Sequence, residues 1–121
     1  MRILLVEDDA MIRTVLAEHL ADDGFDVCEA DNGDAAASMI AHQPQAFELL
    51  ITDLNVPGSR DGIEVARLMR TRFPRVPVIF ITGRSYALLD EGARLGDVVL
   101  EKPFSLDRLT RTAKRLIGIR H

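Results

Sequence analysis

The sequence predicts an α/β protein, a three-layer α/β/α sandwich built around a five-stranded parallel sheet. Short apolar runs, typical of strands buried on both faces, alternate with segments that repeat apolar residues at helical spacing. This strand–helix alternation recurs five times, which requires parallel strands joined by crossover helices on both faces of the sheet. A length of 121 residues suits one sizeable core, so residues 1–121 are predicted to form a single domain.

The first half of the chain contains two of these strand–helix pairs. Arg2–Val6 is an apolar run, and Ala10–Asp22 has the i, i+4 spacing of a helix with one buried face. Phe25–Ala30 is the second predicted strand. The helix after Asn32-Gly33 ends before Pro44, because the residue preceding a proline disfavours the helical conformation. The apolar residues of the first helix, which predict its buried face, are Met11, Ile12, Val15, Leu16, Ala17 and Leu20.

The second half contains the other three pairs. The central strand, Leu49–Asp53, begins with an apolar run and ends on a carboxylate. The loop Asn55–Asp61 follows, with a turn signal at Pro57-Gly58. The remaining predicted elements are a helix at Gly62–Arg72, a strand at Val78–Ile81, a weaker helix at Ser85–Leu95, a strand at Val98–Leu100 and a final amphipathic helix marked by Leu106, Leu109, Ala113, Leu116 and Ile117.

The composition limits the class of protein. The chain has no apolar run of about 18 residues and no signal peptide core, so we expect a cytoplasmic protein without a membrane partner. A single cysteine, Cys28, offers no disulfide framework and is expected to pack as a small apolar residue in a reducing compartment. The net charge of −4 argues against direct nucleic-acid binding by this domain.

Charged and hydroxyl side chains lie at the carboxyl ends of four predicted strands. In an open parallel sheet these ends share one edge, and ligands bind there. Carboxylates gathered at that edge repel one another, which raises pKa values unless a divalent cation is bound. An oxygen-rich site of this kind suits Mg²⁺ or Mn²⁺. The residues are Glu7, Asp8 and Asp9 after the first strand, Asp53 at the end of the third, Thr82 after the fourth and Lys102 after the fifth.

Together these side chains suit phosphoryl transfer to a carboxylate, with Asp53 as the predicted acceptor. Lys102 supplies a compact positive charge for the phosphoryl oxygens, and Thr82 supplies a hydroxyl donor. The ordinary alternatives are a cap or turn role for an acid, a solvated strand end for the lysine and simple strand packing for the threonine. For Asp9 the ordinary role is preferred, because an acid there can cap the helix Ala10–Asp22.

Four short motifs resemble the receiver domain of two-component response regulators, and they do so in order along the whole chain. No motif is specific alone, but their combination at the strand ends is. The resemblance implies a flavodoxin-like (βα)5 fold with strand order 2-1-3-4-5. It also implies a phosphoacceptor switch, not an enzyme in the usual sense, that assists its own phosphorylation and dephosphorylation. The motifs are VEDD at Val6–Asp9, DLNVP at Asp53–Pro57, Thr82-Gly83 and Lys102-Pro103-Phe104.

The resemblance implies roles for the acids at the sheet edge. Asp53 would accept a phosphoryl group from a phosphohistidine on a sensor histidine kinase or a histidine phosphotransfer protein. Asp8 would bind Mg²⁺ (or Mn²⁺) directly, and Glu7 would bind it through water. Asp53 itself and the backbone carbonyl of Asn55 would complete the protein ligands.

The resemblance also implies how the phosphoryl group is held and its state communicated. Thr82 and Lys102 would hold phosphoryl oxygens, and the Lys102–Pro103 peptide bond would be cis. The partner-reading surface would comprise the helix at Ser85–Leu95, the last strand and the final helix. The downstream partner would be a protein effector, with the domain a monomer or weak dimer.

Several positions are expected to tune the switch or to depart from the family pattern. Val99 stands where many receivers carry Tyr or Phe, so the usual threonine–aromatic coupling would be replaced by backbone shifts or by Tyr86. Asn55 and Arg84 would flank the path of the water that hydrolyses the aspartyl phosphate, so we expect Arg84→Ala to change its lifetime. The loop Asn55–Asp61 is one residue longer than the commonest form of this loop in receiver domains.

Three other classes of protein share parts of this pattern. An aspartyl-phosphate phosphatase would need a second acid two residues after the nucleophile, where this chain has Asn55. A receiver-like scaffold that is never phosphorylated would lack an acid, the threonine or the lysine, and all are present. A flavodoxin-type cofactor binder needs a phosphate loop after the first strand, where Glu7, Asp8 and Asp9 would repel a phosphate.

Overall fold

A computed structural model of the protein describes residues 1–56, 58–83 and 97–119, without the side chain of Ile119. Within these ranges the chain forms five strands and four helices. The helix predicted at Ser85–Leu95 lies outside the described residues. In chain order the elements are β1 (Arg2–Val6), α1 (Ala10–Asp22), β2 (Asp26–Ala30), α2 (Gly33–His42), β3 (Leu49–Asp53), α3 (Gly62–Arg72), β4 (Val78–Thr82), β5 (Val98–Glu101) and α4 (Leu106–Ile119).

All five strands are parallel and lie in the order β2-β1-β3-β4-β5, which confirms the predicted fold class and strand order. Asp53 on β3 lies opposite Ile81 on β4, and Thr82 lies opposite Glu101 on β5. Because β1, β3 and β4 are neighbours at the centre of the sheet, the residues at their carboxyl ends meet at one edge. This is the edge at which the sequence predicts a functional site.

Alternate strand residues enter two hydrophobic cores on opposite faces of the sheet. From β1, Leu4 and Val6 join a core with α2 and α3, called here the α2/α3 core. Ile3 and Leu5 join the other core with α1 and α4, called the α1/α4 core. Every residue of β3 and β4 is buried, as expected for central strands that helices cover on both faces. The predicted three-layer arrangement is therefore confirmed.

Three strand boundaries differ by one residue from the prediction. β2 begins at Asp26, because the Phe25 amide donates a hydrogen bond back to the Leu20 carbonyl of α1 over 3.2 Å and lies in the turn that follows the helix. β4 continues through Thr82 and β5 through Glu101, since these two residues are paired across the strands. The longer β4 places the predicted hydroxyl donor on the strand itself.

Side-chain caps define the starts of three helices. Asp9 Oδ1 accepts a hydrogen bond from the Ile12 amide over 3.1 Å, which confirms the capping role predicted for Asp9. Asn32 and Asp61 accept the same bond from the amides three residues ahead, over 2.7 and 2.9 Å. Each cap satisfies an amide that has no partner within its helix.

The predicted buried face of α1 is wrong in its first half. Met11, Ile12 and Val15 are 80%, 38% and 48% exposed, although their apolar spacing predicts burial. Leu16 and Leu20 turn toward the sheet and are buried in the α1/α4 core. The stripe that contacts the sheet is narrower than the apolar pattern, so the remaining apolar side chains line a surface groove described below.

Cys28 is a free, half-buried thiol that packs against the α2/α3 core, as predicted for a small apolar residue. The Arg2 guanidinium contacts its Sγ over 3.2 Å. Of the helices within the described ranges, none combines the length and the apolar character needed to cross a bilayer.

Candidate functional site

Four side chains predicted to form the site meet at the carboxyl edge of the sheet. Asp53 is the last residue of β3 and Thr82 the last of β4, while Glu7 directly follows β1 and Lys102 directly follows β5. Glu7, Asp53 and Thr82 are buried, and Lys102 is half-buried. The parallel topology alone places these residues together, because each stands at the same end of its strand.

Lys102 bridges the two buried carboxylates. Its Nζ donates a hydrogen bond to Asp53 Oδ2 over 2.9 Å and lies 3.5 Å from Glu7 Oε1. Its backbone N–H donates to the Thr82 carbonyl over 2.7 Å, which anchors the chain after β5 against β4. The Lys102–Pro103 peptide bond is cis, as the resemblance to receiver domains implies.

The Glu7 carboxylate is fixed in position but incompletely satisfied. Its Oε2 accepts a hydrogen bond from the Asp9 amide over 3.2 Å. Arg13, a residue not predicted from the sequence, donates from Nη1 to the Glu7 backbone carbonyl over 2.8 Å. The Glu7 side chain is only 2% exposed, and its Oε1, which lies 3.5 Å from Lys102 Nζ, has no hydrogen bond within the described part of the chain. An unsatisfied buried oxygen is costly, so Oε1 is suited to a further ligand.

The acids form an oxygen-rich cluster that fits a divalent cation. One carboxylate oxygen each of Glu7, Asp8 and Asp53 lies within 4.8 Å of the others. Asp8 is exposed and opens the cluster to solvent, whereas the other two acids are buried. Hard cations such as Mg²⁺ prefer carboxylate oxygens and retain water ligands. The donor set and the unsatisfied Glu7 Oε1 therefore both suit such an ion.

Burial and neighbouring charges set the protonation of the site. Burial raises the pKa of Glu7 to about 7, the charge of Asp53 adds to this, and the Asp9 amide and Lys102 oppose it. Loss of hydration is therefore a larger cause of the raised Glu7 pKa than the repulsion between acids that the sequence predicts. Burial lowers the pKa of Lys102, but the hydrogen bond to Asp53 and the nearby negative charges outweigh it, so the net pKa is raised.

The positions predicted to tune the switch lie in different surroundings. Asn55 is exposed in the loop after β3, and Val99 is half-buried on β5 against the α2/α3 core. Pro103 is exposed beside the site. Arg84 and Tyr86 lie outside the described residues. The functional roles assigned to these positions stay predictions.

A groove next to the site is not predicted from the sequence. Called here the α1 groove, it has a volume of about 420 Å³ and separates α1 from the chain that follows β5. Glu7 and Lys102 line its end at the acid cluster. The signal in the sequence is the apolar pattern of α1, which is wider than one buried stripe. Its apolar lining residues include Met11, Ile12, Val15, Phe104 and Leu106.

Comparison with known proteins identifies the family. The profile of the response regulator receiver domain matches residues 3–114. The response regulator receiver protein CpdR of Brucella abortus is 37% identical over 118 residues, covering 96% of each chain. The transcriptional regulatory protein AruR of Pseudomonas aeruginosa is 36% identical over 129 residues, covering 99% of this chain. The chain belongs to the response regulator receiver domain family. It is therefore a receiver domain of the bacterial two-component type.

The relatives differ in length. The chain spans 51% of AruR and 24% of the response regulator protein FleR of the same species. Among solved structures, a response regulator receiver protein from Sinorhizobium medicae has a TM-score of 0.93 at 28% identity, covering 100% of this chain and 97% of that chain. The receiver domain of the sensor histidine kinase PA1611 from Pseudomonas aeruginosa has a TM-score of 0.82 at 30% identity, covering 97% of each chain. That structure holds a magnesium ion coordinated in its active site cleft.

Proposed function

We propose that this receiver domain is a phosphorylation-operated switch whose phosphoacceptor is Asp53. The observation that supports this best is the 2.9 Å hydrogen bond from Lys102 Nζ to Asp53 Oδ2, at the border of the acid cluster. A carboxylate in this setting can act as the nucleophile. The adjacent ammonium can then stabilise the charge of a phosphoryl group transferred to it.

In the proposed reaction, an Asp53 carboxylate oxygen attacks the phosphorus of a phosphohistidine. A P–O bond to Asp53 forms as the P–N bond to the imidazole breaks. The electron pair of the broken bond stays on the imidazole nitrogen, and a proton on the second ring nitrogen makes the leaving group a neutral histidine. Later attack of water on the aspartyl phosphate releases inorganic phosphate and restores the carboxylate.

The metal ligands we propose for Mg²⁺ (or Mn²⁺) are Asp8, Asp53, the backbone carbonyl of Asn55 and, through water, Glu7. When bound, the cation supplies positive charge that offsets the repulsion between the acids and the phosphoryl oxygens. The unsatisfied Glu7 Oε1 supports this assignment. The magnesium ion in the related PA1611 receiver is consistent with it.

Lys102 and Thr82 are the residues we propose to hold the transferred group. The Lys102 ammonium has only to transfer its hydrogen bond from the carboxylate to a phosphoryl oxygen on the same side chain. Thr82 is buried at the end of β4, the strand next to Asp53, and would donate its hydroxyl to another oxygen. Arg84 and Asn55 would control access of the hydrolytic water.

The phosphodonor we propose is a sensor histidine kinase or a histidine phosphotransfer protein. The α1 groove joins the acid cluster through Glu7 and Lys102, so a protein seated there would have its histidine close to Asp53. The exposed side chains of Met11 and Val15 suit the apolar face of a partner helix. An apolar surface this near a charged site is more readily explained by a partner than by folding.

The output surface we propose includes β5, α4 and the predicted helix at Ser85–Leu95. Phosphorylation adds negative charge and acceptor oxygens at Asp53, the end of β3, and Lys102, which directly follows β5, is hydrogen-bonded to that side chain. The domain would assist its own phosphorylation and dephosphorylation, act as a monomer or weak dimer, and signal to a protein effector without contacting nucleic acid itself.

Incubation with acetyl phosphate and Mg²⁺, followed by intact mass measurement, tests this function. We expect the parent to gain one phosphoryl group, and Asp53→Asn to gain none. Asp31→Asn, an exposed acid outside the cluster, is the matched control and should behave as the parent. A folded parent that gains no mass at any phosphodonor concentration would exclude the proposal.

A further inference from the structure

Asp34, the second residue of α2, contacts the loop after β3. Its Oδ1 accepts hydrogen bonds from the Ser59 hydroxyl over 2.7 Å and from Arg60 Nη1 over 2.8 Å. Its Oδ2 accepts from the Ser59 backbone amide over 3.1 Å. The two bonds to Ser59, and then Arg60, hold the pKa of Asp34 below its usual value. One carboxylate thus binds three donors that lie 25 and 26 residues away in sequence.

Glycines allow the loop to approach α2 closely. A Cβ at Gly33 would overlap the Arg60 carbonyl, so the first turn of α2 and the loop backbone are in direct contact. Gly58 has φ +106°, a left-handed conformation that favours glycine, and a Cβ there would lie 2.8 Å from Asp34 Oδ2. The contact with Asp34 is therefore part of a fitted interface between α2 and the loop.

The other end of the same loop is fixed at the phosphoacceptor. The Gly62 amide donates to the Leu54 carbonyl over 2.9 Å, and a Cβ at Gly62 would overlap the Asp53 carbonyl. Asn55 lies between these two attachments. Asp34 and Gly58 also line a cleft of about 620 Å³ together with Asp8 of the acid cluster.

We propose that Asp34 is a positioning residue for the metal site, holding the loop so that the backbone at Asn55 is ready to complete it. This inference rests on the proposed function, because it assumes the carbonyl of Asn55 is a metal ligand. The hydrogen bonds that the described residues make to the Asp34 carboxylate come from Ser59 and Arg60, not from members of the acid cluster. Asp34 acts through the backbone that connects Ser59 with Asp53.

The expected consequence is a weaker metal site when the contact is lost. Without Asp34 the loop must be ordered when the cation binds, and that ordering reduces the affinity. Loss of a partner that orients a metal ligand typically weakens binding by roughly 10–100-fold, and we expect the lower end because the contact is half-exposed. The rate of phosphorylation at saturating Mg²⁺ should fall by a smaller factor than the Mg²⁺ affinity, because Asp53, Thr82 and Lys102 are unchanged.

The test compares Asp34→Ala and Asp34→Asn with the parent and with Glu64→Ala. Glu64 is a suitable control because it is an acid that pairs with an arginine, Arg67, near the same loop. Two measurements are independent of phosphorylation: Mg²⁺ affinity by calorimetry, and amide hydrogen exchange of residues 54–62 in metal-free protein. The third is the acetyl phosphate rate as a function of Mg²⁺ concentration.

For Asp34→Ala we expect a dissociation constant for Mg²⁺ about 10-fold higher and faster exchange in residues 54–62, with a maximal rate within about two-fold of the parent. Asp34→Asn keeps one acceptor oxygen for Ser59 and should show a smaller change. Glu64→Ala should match the parent. Unchanged Mg²⁺ affinity or unchanged hydrogen exchange in Asp34→Ala would overturn the inference. So would a phosphorylation rate at saturating Mg²⁺ that falls as much as the Mg²⁺ affinity does. A parent that is never phosphorylated would instead count against the proposed function.

Discussion

Lys102 Nζ lies 2.9 Å from Asp53 Oδ2 and 3.5 Å from Glu7 Oε1, so one ammonium group serves two buried carboxylates. In this position the lysine offsets part of the negative charge of the acid cluster in the absence of a cation. It also occupies the place from which it can contact a phosphoryl group on Asp53. The ammonium also competes with Mg²⁺, because both positive charges are attracted to the same carboxylate oxygens.

Lys102→Ala should therefore separate metal binding from phosphorylation. We expect the variant to bind Mg²⁺ about 10-fold more tightly, because a competing positive charge is removed. Its acetyl phosphate rate should fall on the order of 10²-fold, because the phosphoryl oxygens lose a charged donor. Calorimetric titration and a time course of intact mass measure the two effects. Weaker Mg²⁺ binding, or an undiminished rate, would contradict this role.

Glu7 should make the metal-free protein less stable as pH rises. Its pKa is about 7 in the folded state against 4.5 for a free side chain, so folding favours the protonated form. The stabilisation is complete below pH 4.5 and is lost as pH rises through 7, a total of about 3 kcal/mol. Urea unfolding in EDTA at pH 5 and pH 8 tests this against Glu7→Gln, which lacks the titrating group. A parent and variant with parallel pH profiles would refute it.

Two adjacent acids should have opposite roles. Asp8→Ala should reduce Mg²⁺ affinity by more than the roughly 10–100-fold typical of residues that merely orient a ligand, with little change in unfolding free energy because Asp8 is exposed. Asp9→Ala should cost about 1 kcal/mol of stability by removing the cap of α1, with Mg²⁺ affinity retained. Mg²⁺ affinity and the free energy of unfolding are measured for both variants. Loss of stability in Asp8→Ala together with loss of Mg²⁺ affinity in Asp9→Ala would count against the assignment.

The α1 groove should matter for protein donors only. We expect the double variant Met11→Ala, Val15→Ala to accept phosphoryl groups from a phosphorylated histidine phosphotransfer protein about 10-fold more slowly, because apolar contact is lost. Its reaction with acetyl phosphate should be unchanged, since the small donor needs no docking. Glu18→Ala, an exposed change elsewhere on α1, is the matched control. Equal slowing with both donors would place the defect at Asp53 instead.

The fold and the site were accessible from the sequence because both depend on short-range patterns. Strands such as Leu49–Asp53 are apolar runs that end on a polar residue, and parallel topology then brings those ends together. The position of Asp53 beside Lys102 follows from this rule without any knowledge of side-chain contacts. Helix starts at Asp9 and Asn32 were likewise local signals.

What the sequence did not show depends on contacts between distant segments. Periodicity marks Met11 and Val15 as apolar, but it does not show how wide a stripe of α1 meets the sheet. The contact of Asp34 with Ser59 joins residues 25 positions apart, and no local sequence pattern near either residue predicts it. The pKa of Glu7 depends chiefly on how deeply its side chain is buried, which only the packed structure reveals.

The most direct test of the central claim is peptide mapping of the protein after reaction with acetyl phosphate, with and without Mg²⁺. We predict that the phosphoryl group is found on the peptide containing Asp53, and only when the cation is present. A phosphoryl group on any other residue of the folded parent, or one on Asp53 that forms equally well in EDTA, would contradict it.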